Sequence, residues 1–463
     1  LSGTSNLRAH LADLQKTGSF YDAASNDKRN TPFTDGYWLL AMATYFLLGN
    51  YGSAKTSARK VQDSGFYGNR ARALHTLVSY LFEPDQPTPP ELNTLVRYLN
   101  GSDVREEEAI EEARSFLTDA NPEDSFFGRI LYVAISDTIF HSTRALLPMY
   151  TGLDIEVWRT YLSTGALPKL LWQAQRKIGD AGVFSGSNAF IQLPTGSGKT
   201  KSIELLLRSR FLAGNCKLAV VVAPLRALCS EIVRDLASTL GDVAQVEQAS
   251  DVMELDSWFT EKSRELRVMV FTPEKLGFVM HHNFALFNDA DLFVFDEAHL
   301  LDSESRGPGY ELLLAEVFRA KPNSQKVLIS AVVSNANEIA EWAFGDPNLV
   351  VDGKDIQITE KSIGLIQHEG KKVCYVEQDN IFKKEYDVIV DINPRPLKRR
   401  GIERKQRYFP QLDSKASDVT RDLAVYFANL IIFNGACAIY ISQRRSFPPM
   451  FKRLKELTDR EAD

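Results

Sequence analysis

The tract Leu193-Pro194-Thr195-Gly196-Ser197-Gly198-Lys199-Thr200 brings glycines, hydroxyls and a lysine together in a short span. Alternate glycines let a loop turn tightly enough for its amides to point at one anion, and a helix that follows adds the positive end of its dipole. Lys199 can then reach the β and γ phosphates of a nucleoside triphosphate, and the Thr200 hydroxyl can ligate a magnesium ion. The general form of such a loop opens on Gly, where this chain has Leu193. A Gly-Lys-Thr triplet alone is a weak signal, but Thr195 to Thr200 between an apolar strand and a helix expected over 201–211 is a strong one.

Further along, Phe293-Val294-Phe295-Asp296-Glu297-Ala298-His299 places two carboxylates at the end of an apolar run. Alone, an Asp-Glu pair reads as a helix cap. Paired with the phosphate loop it reads as the second acidic motif of an ATPase: Asp296 holds magnesium through water, and Glu297 orients and deprotonates the attacking water.

Both motifs need a scaffold that aims loops at one edge. From about residue 151, short apolar runs alternate with amphipathic helices, the pattern of a parallel sheet covered on both faces. Strands are expected at 189–193, 218–223, 268–272, 292–295 and 327–330, with each motif at the C-terminal end of one of them, where an open α/β sheet binds its ligand. Residues 1–150 read as helices punctuated by polar, Pro-rich stretches such as 84–90. Within them Trp38, Tyr45, Gly49, Tyr51 and Ala54 match a tetratricopeptide-like hairpin; a single unit supports a hairpin packed on its neighbours and not an array. The acidic stretch 106–112 reads as a solvated helix face. Residues 352–416 read as a charged, strand-like connector, and 417–463 as the opening of a second α/β domain, with a helix from about Ser417, a strand at 436–442 and a helix near Leu457.

The phosphate loop and the Asp296-Glu297-Ala298-His299 box are similar to those of superfamily 2 helicases, which implies a RecA-like first domain over 151–351, use of ATP with Mg2+, a catalytic role for the whole box including His299, and the start of a second RecA-like domain at 417–463. Leu171-Trp172-Gln173-Ala174-Gln175 resembles the family's Q motif, implying that Gln175 reads the adenine edge. Ala223-Pro224-Leu225-Arg226-Ala227-Leu228 resembles motif Ia and Thr272-Pro273-Glu274-Lys275 motif Ib, which implies that Pro224, Arg226, Thr272 and Pro273 grip the backbone of a single strand. Ser330-Ala331-Val332 occupies motif III, and Ala438-Ile439-Tyr440-Ile441-Ser442 resembles motif IV. Asn337-Glu338 and Glu341-Trp342 resemble the Ski2-like branch, and the Leu-Trp-x-x-Gln and Ser-Ala-Val variants resemble helicase subunits of Hachiman-type antiphage systems.

Two departures stand out. Val332 replaces the hydroxyl residue that in the family helps link ATP state to strand grip, so either the coupling uses Ser334 or is weaker, or the variant is neutral. Motifs V and VI are not found after motif IV, and motif VI supplies arginines worth about 10³ to 10⁵ in rate for arginine fingers generally. The 463-residue sequence is therefore expected to be inactive by itself, as a trimmed or processed portion that opens on Leu1.

Composition bounds the remainder. With 44% apolar and 25% charged residues the chain is of globular type, and a formal net charge of −6 confines any nucleic-acid surface to a local patch. One such patch is Arg395, Lys398, Arg399, Arg400, Arg404, Lys405 and Arg407 with Tyr408 and Phe409, which either tracks phosphates and stacks a base or is a solvated connector. Cys216, Cys229, Cys374 and Cys437 are widely spaced and read as free thiols in a reducing compartment. No leader is recognised, and the apolar run 423–441 is broken by Asn429, Asn434 and Gly435, so a cytoplasmic protein without a membrane span is expected. His281 and His282 lack further ligands at metal spacing. Trp158 is read as a packed core residue and not as an adenine platform.

Two functions from different classes fit. The first is an ATP-dependent helicase or translocase acting on a single nucleic-acid strand, DNA slightly ahead of RNA. The second is a nucleotide-gated sensor or scaffold whose helical N-terminal region holds a partner protein without unwinding anything.

Overall fold

The computed structural model describes residues 16–21, 24, 34–83, 89–117, 122–248, 266–359, 364–369, 372–377, 388–391, 395–397, 407–410, 415–431, 437–441 and 444–461. The chain divides into two compact units, residues 1–360 and 361–463.

The first unit opens with helices α1 (Thr34–Leu48), α2 (Tyr51–Ala58), α3 (Asn69–Phe82), α4 (Asn93–Leu99), α5 (Glu106–Ser115) and α6 (Pro122–Phe140). The hairpin expected around Trp38 and Tyr51 is α1 and α2, which turn at Gly49 (φ +78°), and Trp38, Tyr45, Tyr51 and Ala54 are all buried in it. Helix α5 carries the acidic stretch and buries only Ala109 and Ala113. Its face is not wholly idle: the Glu112 carboxylate accepts from the amides of Thr94 (3.0 Å) and Leu95 (2.9 Å), satisfying free donors at the start of α4.

After α7 (Thr143–Thr151), α8 (Ile155–Ser163) and α9 (Gln173–Asp180), the chain builds a seven-stranded sheet. Its strands are β1 (Ala189–Gln192), β2 (Leu218–Val222), β3 (Gln245–Gln248), β4 (Arg267–Phe271), β5 (Ala290–Phe295), β6 (Gln325–Ser330) and β7 (Val350–Asp352), in the order β3-β4-β2-β5-β6-β1-β7. Every neighbouring pair is parallel. The near-continuous apolar runs have a direct cause, since alternate side chains enter two different cores. Ile191, Val221, Val270, Val294 and Ile329 face one layer, which contains α9, α10 (Lys199–Leu212) and α11 (Arg226–Leu240). Phe190, Val220, Phe271, Phe293 and Leu328 face the other, which contains α12 (Pro273–His282), α13 (Gly307–Ala320) and α14 (Ala336–Phe344). This is the doubly covered parallel sheet that the alternation implied, of the RecA-like kind that the family resemblance implied.

The five expected strands are present to within a residue or two, and β3 and β7 are added at the sheet's edges. The helical layer packs against this domain: Leu170 is buried in the helical core while its neighbour Leu171 is buried in the sheet core. Trp158 is fully buried in the sheet core, a packing residue as expected.

In the second unit, β8 (Gly364–Glu369), β9 (Lys372–Glu377) and β10 (Val388–Asp391) form an antiparallel sheet of order β10-β9-β8, and β11 (Arg395–Leu397) pairs antiparallel with β12 (Arg407–Phe409). Arg395, Arg407, Tyr408 and Phe409 of the basic stretch thus lie on a two-stranded ladder, while Lys398, Arg399, Arg400, Arg404 and Lys405 lie outside the described residues. Helices α15 (Ala416–Ile431) and α16 (Phe447–Glu461) follow, joined by a buried bidentate pair in which Arg453 donates to Asp422 at 2.8 and 2.5 Å. The strand expected at 436–442 is not there: residues 437–441 form no ladder, and Ala436 and Ser442 lie outside the described residues. A strand exists only through its neighbours, and none of the described strands of this unit pairs with that segment.

Among the described residues no helix is long and apolar enough to cross a membrane. Cys216 and Cys229 are buried free thiols and Cys437 an exposed one, while the side chain of Cys374 lies outside the described residues. Burial pushes the Cys216 thiol up to about 12, so it is inert at neutral pH.

Candidate nucleotide site and strand-facing edge

The phosphate loop leaves β1 and enters α10, and its two glycines have positive φ, +82° at Gly196 and +86° at Gly198. Any side chain at either position would be strained, and at Gly198 a Cβ would also stand 2.8 Å from the Gln175 side-chain nitrogen. At Gly196 nothing lies within 4 Å of where a Cβ would be, which leaves the mouth of the loop open. Leu193, standing where the general pattern has Gly, is fully buried, and its amide donates to Ser330 O at 3.0 Å. It pins the loop to β6 by burial. Ser197 is buried with its hydroxyl on Pro194 O (2.8 Å), while Thr195 and Thr200 are exposed.

The acidic box follows β5, two strands from β1 across β6. Glu297 has φ +54°, the sole non-glycine residue with positive φ among the described residues. Its amide is held by Asp296 Oδ1 at 2.9 Å, which closes the tight turn. Backbone held in this region costs of order 1–3 kcal/mol and persists where the surroundings enforce it. The turn swings the Glu297 carboxylate toward the loop: Glu297 Oε2 lies 3.6 Å from Lys199 Nζ and 3.2 Å from His299 Nδ1. Burial first, and then repulsion from Glu297, push the Asp296 carboxyl above the usual carboxylate range, with Lys199 and His299 pulling the other way.

These residues fit a magnesium-bound triphosphate. An open glycine cradle, a lysine ion-paired with a carboxylate it can exchange for phosphate, an exposed Thr200 hydroxyl and two crowded carboxylates form a donor set suited to an anion and a hard cation. Gln175 is 3% exposed and turned into the loop, where Nε2 donates to Ser197 O (3.4 Å), Gly198 O (3.3 Å) and Ser202 Oγ (3.2 Å) while Oε1 accepts from Trp172 N (2.8 Å). It buttresses the loop as it stands.

Along the same sheet edge, Pro224 and Arg226 follow β2, and Thr272 and Pro273 follow the adjacent β4. Ala223 N donates to Phe271 O at 2.9 Å, so the two loops leave side by side. Arg226 is exposed at the start of α11, and Thr272 caps α12 through Lys275 N (3.4 Å). After β6, Val332 and Ser334 are both exposed, and the Ser330 hydroxyl is buried without a hydrogen-bond partner. Gln192 at the end of β1 accepts from Val333 N at 3.3 Å, a second tie between the loop strand and motif III.

One residue of this edge escaped the sequence reading. Arg306 lies between the acidic box and α13, and its guanidinium donates to Pro224 O (3.0 Å) and Glu274 Oε1 (2.5 Å), bridging motifs Ia and Ib. Burial works against the Glu274 charge, but hydrogen bonds from its own backbone and from Arg306 hold the carboxyl below its ordinary range. Arg306 sits in a polar connector with no periodicity, and nothing in the sequence paired it with Glu274. His281 stands 3.5 Å from Glu316 and His282 Nδ1 donates to Phe278 O (2.8 Å); among the described residues no cluster of metal-ligating side chains is found.

Residues 172–339 match the family model of the DEAD/DEAH box helicases. The chain is 24% identical over 358 residues, 73% of its length and 31% of the relative's, to the Hachiman protein HamB of Bacillus cereus. It is 29% identical over 236 residues, 49% of its length and 20% of the relative's, to the ATP-dependent DNA helicase Hel308 of Thermococcus kodakarensis. The chain thus spans about a third or less of the curated relatives it matches. A crystal structure of the DUF1998 helicase MrfA aligns with 43% of this chain and 32% of its own at a TM-score of 0.35 and 19% identity. The matched span holds the phosphate loop, acidic box and motif III in order, and these likenesses together support a superfamily 2 helicase domain over residues 172–339.

Proposed function

We propose that the chain is the ATP-hydrolysing portion of a helicase or translocase that moves along a single strand of nucleic acid, DNA in preference to RNA, within a Hachiman-type antiphage system in the bacterial cytoplasm. The supporting observation is the convergence of Lys199 and Glu297 to 3.6 Å across loops that follow different strands. Backbone amides of 196–200 and Lys199 hold the β and γ phosphates, and Thr200 and Asp296 hold magnesium, which when bound screens the phosphate charge. Entry of the triphosphate would draw Lys199 from Glu297, and the freed carboxylate would take a proton from the attacking water as its oxygen bonds to the γ phosphorus and the β–γ bridging bond breaks to leave ADP, while His299 Nδ1 stands against the same Glu297 Oε2. Gln175 reads the adenine edge from its place beside Gly198. Pro224, Arg226, Thr272 and Pro273 hold strand phosphates, contacts that fix register and carry little base information. The likeness to HamB and Hel308 supports the DNA and defence assignments.

A strand-displacement assay on the complete protein tests this reading. ATP-dependent separation of a tailed duplex by wild type, and none by Glu297→Gln, is expected. ATP turnover without any strand separation or translocation would replace the motor by a nucleotide-gated scaffold.

A further inference from the structure

The short segment ahead of α9 belongs to two cores at once. A bridge pairs Ser142 with Leu170, Thr143 N donates to Lys169 O (3.0 Å) and Leu171 N donates to His141 O (3.0 Å), so the segment is stitched onto the end of the helical layer. At its end, Trp172 packs edge-on against Tyr51 (ring centroids 5.9 Å apart, 60°) and Phe82 (6.5 Å, 84°), and both rings come from the helical layer. The backbone amide of that same Trp172 is the donor to Gln175 Oε1 at 2.8 Å, and Gln175 Nε2 ends on the phosphate loop at Ser197, Gly198 and Ser202. Edge-to-face packing on two rings is a preferred aromatic geometry and limits how far Trp172 can move.

We propose that Trp172, clamped by Tyr51 and Phe82, is a positioning residue for Gln175, so that the helical layer sets the base selectivity of the nucleotide site. This rests on the reading of Gln175 as the adenine contact. A glutamine amide presents two N–H donors on one side and a carbonyl oxygen with two lone pairs on the other, and it distinguishes adenine from guanine only while its orientation is held. Here the holding group is a main-chain amide whose place is set by aromatic packing from another layer. The helical layer thereby gains a route to the ATP site with no side chain of its own in it.

The test is the affinity of the complete protein for fluorescent ATP and GTP analogues, read together with the thermal midpoint. Wild type should prefer ATP, Trp172→Ala should lose about tenfold in ATP affinity with little change for GTP, the worth of one well-placed hydrogen bond, and Trp172→Phe should restore the preference. Ile135→Val, a mild change on helix α6 of the helical core, should lower the midpoint and leave the preference intact. If Trp172→Ala fails to fold, Phe82→Leu, which trims one wall of the clamp, is expected to narrow the preference in the same direction. Wild-type preference in a folded Trp172→Ala or Phe82→Leu protein, an equal collapse in Ile135→Val, or no preference in wild type would overturn the proposal. Nucleotide binding by Lys199→Ala equal to wild type would instead remove the function on which it rests.

Discussion

At the scale of single residues, the site holds an unbalanced charge. Asp296 is buried beside Glu297, so folding favours its protonated form and its folded pKa is raised above the unfolded value. A raised carboxyl penalises the folded state once pH exceeds the ordinary carboxylate value, and the penalty fades as pH falls below that value. Asp296→Asn should therefore raise the thermal midpoint of nucleotide-free protein at neutral pH by about 1–4 °C, given how modest free-energy changes move midpoints in domains of this size. The gain should vanish in acid, and a midpoint that drops at neutral pH would contradict the account. The carboxylate pair and the lysine were legible because the chemistry demands those types in that order. The left-handed backbone at Glu297 was not, since no residue type announces it when Asn and Gly are absent. Nor did the sequence show that Gln175 would bridge the Trp172 amide and the phosphate loop, because hydrogen bonds between distant segments have no spacing to read.

Elements were legible in proportion to how completely they are buried. Strands β1, β2, β4, β5 and β6 bury every residue or nearly so, and a run such as Leu218-Ala219-Val220-Val221-Val222 can be little else. Edge strand β3, Gln245-Val246-Glu247-Gln248, is half-buried and mostly polar, and β7 is three residues long, so neither carries the signal. The segment 437–441 erred the other way, with strand-like apolar residues and no ladder among the described residues. Arg306 illustrates what the element scale adds, since it ties the connector after the acidic box to two loops that flank it in space. Arg306→Ala should leave nucleic-acid-free ATP turnover near wild type and reduce the stimulated rate about tenfold, the loss of a charge-assisted hydrogen bond. Steady-state turnover with and without an oligonucleotide checks it, and equal loss in both would mean that Arg306 serves the ATP site itself.

On the scale of the whole molecule, a RecA-like sheet carries a helical layer that shares one compact unit with it and meets it at the segment leading to the Q motif. The helices were legible as helices from their apolar spacing, but their packing against the nucleotide domain was not, because contacts such as Tyr51 with Trp172 link residues far apart in sequence. The central claim is that the loop at Gly198 and the carboxylates after Phe295 form one ATP site driven by a nucleic-acid strand. It is tested most directly by ATP turnover of the complete protein, titrated with single-stranded DNA and RNA, for wild type and Lys199→Ala. The account predicts wild-type turnover that rises with added strand, more for DNA than RNA, and a loss of at least about a hundredfold in the mutant, the scale of removing one preorganised charge-stabilising group. Turnover by Lys199→Ala equal to wild type, or a wild-type rate indifferent to every strand, would contradict it.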